Sequence, residues 1–134
     1  MASFGLGRNI RAVPLISSIA YTTGNVDTAT GIDLAGAESV AVVVNLGVTA
    51  EDAAPTLEFY EGDANDFTIA AGTKLADHQV LNEPDMDDTD NQAYVFDIKP
   101  DKRYLKIRFS DPGNENTVVS VIAILGNLAE VPAN

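Results

Sequence analysis

An all-β fold, an antiparallel β-sandwich of eight or nine short strands, is what this sequence predicts. Three observations predict it. Short runs rich in Val, Ile, Tyr and Phe alternate at a period of two, which sends successive side chains to opposite faces of a pleated strand. Turn residues interrupt these runs every 8 to 15 residues. No segment of ten residues carries the apolar repeat of an amphipathic helix. Among sandwiches, a jelly roll is expected ahead of an immunoglobulin-like one, because the polar loops 22–30 and 82–92 are long enough to cross between sheets.

In chain order, residues 1–12 (MASFGLGRNIRA) are expected to form an extended N-terminal arm. Gly5 and Gly7 argue against a helix, and Phe4, Leu6 and Ile10 are too apolar for a merely solvated tail. Arg8 and Arg11 would suit an acidic partner. The sandwich itself is expected over 13–126, followed by a short polar tail, 127–134.

A first strand is read at 13–21, with Pro14 near its start, where a missing N–H is tolerated. A short strand at 32–34 leads into the central stretch, 39–46 (SVAVVVNL), bracketed by Gly36 and Gly47. Val40, Val42, Val44 and Leu46 share one face, and Ala41, Val43 and Asn45 the other. Stiff β-branched side chains favour a strand here. Since both faces are largely apolar, it is expected inside a sheet with little water on either side. Segment 49–55 offers one helical turn at most, ended by Pro55.

Strands follow at 56–61, with Leu57 and Phe59 on one face, then at 67–70, 78–81 and 93–98. In 103–109 Leu105, Ile107 and Phe109 are expected inward and Tyr104, Lys106 and Arg108 outward. After the turn Asp111-Pro112-Gly113-Asn114, segment 117–125 (TVVSVIAIL) is apolar on both faces apart from Thr117 and Ser120.

The chain has 134 residues, enough for one domain with its own core. It has no cysteine, which excludes disulfides and thiolate chemistry and fits synthesis in a reducing cytoplasm. Neither a signal-peptide-like apolar run nor a span of the ~20 apolar residues needed to cross a bilayer is present, so no membrane role is expected. Eight basic against 20 acidic residues give a net charge of −12, which disfavours nucleic acid as a partner.

Chemistry is sparse. His78 is the sole histidine, no serine sits in a nucleophile elbow, and one histidine cannot build a cupin-type metal centre. The acids Glu83, Asp85, Asp87, Asp88 and Asp90 fail the EF-hand spacing: position 6 would be Asp90 and position 12 Phe96. No catalytic residue, cofactor or metal ligand is expected. Five of the eight basic residues, Lys99, Lys102, Arg103, Lys106 and Arg108, fall within ten positions. Two accounts are open: cross-strand pairing with acids such as Asp97 or Glu58, or a docking face.

The run TGIDLAGAESVAVVVNLG, followed by TLEFYEGD and TVVSVIAILGN, resembles the small capsid decoration (cement) proteins of tailed bacteriophages. The matching positions are Thr30, Gly31, Asp33, Leu34, Gly36, Val42, Val43, Asn45 and Gly47, then Leu57, Glu58 and Asp63, within a likeness spanning about 13–126. The resemblance implies a jelly-roll homotrimer on the outer surface of the virion's head, made in the host cytoplasm, that clamps adjacent copies of the major capsid protein. On that reading Phe4, Leu6, Arg8, Ile10, Arg11, Lys102, Arg103, Lys106 and Arg108 are the expected capsid or subunit contacts. A small carbohydrate- or calcium-binding β-sandwich module is the alternative.

Overall fold

In the computed structural model the described residues are 9–21, 24–47, 55–86, 92–111 and 117–126. They form ten strands: β1 (Ile10–Tyr21), β2 (Gly24–Asp27), β3 (Ile32–Asp33), β4 (Ser39–Leu46), β5 (Thr56–Gly62), β6 (Thr73–Lys74), β7 (Val80–Asn82), β8 (Gln92–Ile98), β9 (Tyr104–Asp111) and β10 (Thr117–Gly126). A 3-10 turn, Asp77–Gln79, precedes β7, and no α-helix occurs among the described residues.

Every ladder is antiparallel, and the pairs nest: β1 with β10, β2 and β3 with β9, β4 with β8, β5 with β6. That is the wiring of a long hairpin rolled over on itself, a jelly roll. It produces two five-stranded sheets. The first runs β1-β10-β4-β8-β7; the second runs β2-β9-β5-β6, with β3 beside β2 on the same flank of β9. In an immunoglobulin-like sandwich the first two strands would lie in one sheet, whereas here β1 and β2 lie in different ones.

The core lies between the sheets. From the first sheet come Val42, Val44 and Leu46 of β4, Phe96 and Ile98 of β8, and Val119, Val121, Ala123 and Leu125 of β10. Leu57 and Phe59 of β5 and Leu105, Ile107 and Phe109 of β9 meet them from the second. Phe59 and Phe96 bridge the sheets edge to face, with ring centroids 5.6 Å apart, a favoured aromatic geometry.

Several boundaries differ from expectation. β1 begins at Ile10, opposite Gly126, so Ile10, Arg11 and Ala12 belong to the sheet and not to the arm. The loop at 22–30 contains β2. No strand forms at 67–70: the chain turns there, with the Ala71 N–H donating to Thr68, and β6 supplies the pairing with β5 instead. The reason is Phe67, whose ring lies against Gly62 and Gly72; a Cβ on either would sit 2.5–2.6 Å from it. The strand expected at 78–81 starts as the 3-10 turn. β4 is central as expected, but only one face is dry: Ala41 and Val43 are half-buried and Asn45 is exposed. The helical turn expected at 49–55 lies outside the described residues except Pro55, as does the tail 127–134.

Candidate functional site

Of the expected contact residues, Phe4, Leu6 and Arg8 lie outside the described residues. Ile10 is half-buried in β1. Arg11 faces the sandwich interior at its open end, where its guanidinium donates to the backbone oxygen of Asp33, 3.0 Å away, tying one sheet to the other.

Four of the five basic residues on and before β9 have side-chain partners within the chain, and the two arginines pair with acids other than Asp97 and Glu58. Arg108 makes a two-pronged ion pair with Asp27 on β2 (2.7 and 3.0 Å). Arg103 makes the same fork with Asp33 on β3 (2.9 and 2.8 Å). Such forks match guanidinium to carboxylate geometry. The Arg103 guanidinium, with the Ala35 N–H, holds the Asp33 carboxyl well below the usual carboxylate range. Lys106 is only 6% exposed: its ammonium donates to the Ala29 carbonyl and sits over the Phe67 ring, 5.2 Å from the centroid. Lys102 donates to Thr73 Oγ1 at 3.3 Å. Glu58 accepts from Lys74 at 2.8 Å, and Asp97 lies on β8, in the other sheet from β9.

His78 sits exposed on the 3-10 turn. Among the described residues no three His, Asp or Glu side chains gather where they could hold a metal ion, and of the acidic run only Glu83 and Asp85 are described. No helix there is long and apolar enough to cross a membrane. Two shallow clefts adjoin at Thr56 and Leu57, of about 290 and 240 Å³, between β5 and the segment 75–86.

The feature that residue-by-residue reading missed is the outer face of the first sheet. Register places Pro14, Ile122, Val43 and Val95 side by side across β1, β10, β4 and β8. A second row, Ala12, Ile124 and Ala41, ends in Asp97. Exposures of 40% at Ile122, 46% at Val95, 39% at Val118 and 64% at Leu81 mark every large exposed hydrophobic of the described residues, and all four lie on strands of this one sheet. Asp97 is the lone charge in these two rows. The outer face of the second sheet is the opposite case, carrying the ion pairs of Arg108, Lys74, Glu58 and Asp27. The signal was present in the two-faced apolarity of 39–46 and 117–125.

Compared with protein-family models and with curated proteins, the chain matches none.

Proposed function

We propose that this chain is a capsid decoration protein of a tailed bacteriophage, a homotrimeric clamp that binds the outer surface of the head and braces neighbouring copies of the major capsid protein. A jelly roll alone hosts many functions, so the fold does not carry this reading. One observation supports it most: the division of the sandwich into an ion-paired face and an almost charge-free apolar face. A monomer gains nothing by leaving Ile122 and Val95 wet, whereas a protein that works by contact needs such a surface. The acidic balance fits the same role, since a net charge of −12 keeps decorated particles apart. The sequence resemblance over 30–47, 56–63 and 117–127 supplies the identity of the partner.

The test is to mix the purified protein with empty heads assembled from the major capsid protein of the same phage. Saturable co-sedimentation is expected, with Val95→Lys abolishing it and Asn25→Lys, on the other face, leaving it intact. Absence of binding by the unaltered protein, or equal binding by both variants, overturns the reading.

A further inference from the structure

The edges of the two sheets are not equally protected. β1 is long, but Pro14 removes a donor from it and its pairing slips twice, devices that blunt an edge. β2, β3 and β7 are four, two and three residues long. β6 is the exception, because its two residues cover β5 only at Tyr60 and Glu61. Leu75 N–H adds one bond to the Phe59 carbonyl (3.0 Å), and then the chain leaves into the 3-10 turn. Backbone groups alternate along a strand, so those of Leu57 point to the same side as that carbonyl. Among the described residues no strand lies opposite them.

The 290 Å³ cleft opens at this point. Leu57, Phe59 and Leu75, all nearly buried, underlie it; its rim carries Thr56, Asp77 and Glu83, beside a Lys74 already paired with Glu58. The 240 Å³ cleft prolongs it past Met86 and Phe96. An extended peptide with alternating apolar side chains and a positive charge is the complement.

We propose that the N-terminal segment of a second copy of this chain docks here as an added strand along β5. In Phe4-Gly5-Leu6-Gly7-Arg8 the side chains alternate with glycines, which suits a strand that presents one face to a groove and needs no room on the other. Phe4 and Leu6 lie along the uncovered edge of β5 beside Leu57, and Arg8 meets Asp77 and Glu83. The first 26 residues contain no acid, so the rim attracts this segment and repels most of the rest of the chain. The occupant comes from a neighbour because β1 and β7 bound opposite edges of the first sheet, about 19 Å apart at the usual strand spacing. Ile10 therefore starts each arm on the far side of the sandwich from its own cleft. Such a head-to-tail contact closes into a ring when the rotation permits.

This contact is independent of head binding, and its test uses no heads. The chain lacks cysteine, so single thiols can be introduced cleanly. Full-length Gly5→Cys is mixed under mild oxidant with Thr56→Cys, exposed on β5, or with the control Asn25→Cys, exposed on β2. Docking raises the local thiol concentration, so mixed disulfide with Thr56→Cys should form at least about tenfold faster than with the control. Adding Asp77→Lys and Glu83→Lys to the Thr56→Cys chain should return it to the control rate. Equal rates in the two mixtures overturn the proposal. So does a chain carrying both Gly5→Cys and Thr56→Cys that closes on itself at high dilution, since the arm then occupies its own cleft.

Discussion

The carboxylate of Glu61 accepts the backbone N–H of Lys102 at 2.8 Å, across 41 residues of sequence. The same oxygen takes the Asp101 N–H at 2.6 Å, and the other takes Gln79 Nε2 at 3.2 Å. Glu61 is 3% exposed, and Gln79 in turn donates to the Lys99 carbonyl, so one buried acid at the end of β5 fixes the β8–β9 turn and the 3-10 turn together. Removing it strands donors that water reaches poorly. Glu61→Ala should cost about 2–4 kcal/mol by urea unfolding, and Glu61→Gln, which keeps one acceptor, about half of that. A loss under 1 kcal/mol for the alanine variant would show that solvent replaces the carboxylate freely.

The Asp33–Arg103 fork gives a pH dependence with a definite sign. The Asp33 carboxyl ordinarily titrates near 3.8 and is held lower in the fold, first by the Arg103 guanidinium and then by the Ala35 N–H. A depressed folded-state pKa contributes stability that is present above the unfolded value and is lost as pH falls from there toward the folded one. The difference in unfolding free energy between the native chain and Asp33→Asn should therefore be flat from pH 8 to about 5 and shrink below about 4. Both residues are well exposed, so the plateau should also fall as salt rises. A difference that grows toward low pH would contradict the assignment.

Phe67 offers a test by double substitution. Its ring lies under Lys106, and an added Cβ at Gly62 would approach it to 2.5 Å. Gly62→Ala should destabilise by about 1–3 kcal/mol, as overpacking does. In a Phe67→Ala background the same change should cost clearly less, because the ring is gone and only the Cβ of residue 67, 3.0 Å away, still crowds it. Equal costs in both backgrounds would place the strain in the backbone of β5.

This cluster also shows where reading from sequence stops. Which residues share a face in β4, β5, β9 and β10 follows from period-two alternation alone. The chain does change sheets within the polar stretch 22–30, between β1 and β2, whereas 82–92 joins β7 to β8 of one sheet and crosses nothing. Phe67 carries the same local signal as a strand residue. What turns it into a loop anchor is its contact with Gly31, Gly62 and Gly72, which are distant from one another in sequence. The basic residues on and before β9 are likewise visible as a cluster, but their partners Asp27 and Asp33 are set by antiparallel register over 81 and 70 residues. The apolar outer face belongs to the same class. It exists only once Pro14, Ile122, Val43 and Val95 are brought into one row.

Adjacent residues of β10 separate the two duties of the first sheet. Val121 is fully buried between the sheets, whereas Ile122 points outward with 40% of its surface exposed. Val121→Ala removes two buried methyl groups and should cost roughly 2 kcal/mol of stability. Ile122→Ser changes a wet side chain and should stay within about 0.5 kcal/mol. On heads the order should reverse. At temperatures where both variants are folded, Val121→Ala should occupy heads like the native chain, while Ile122→Ser, having lost an apolar contact of about 1.4 kcal/mol or more, should bind at least about tenfold more weakly. A protein that used its ion-paired face instead would give native occupancy for Ile122→Ser. It would respond to Arg108→Ala, which leaves the first sheet untouched.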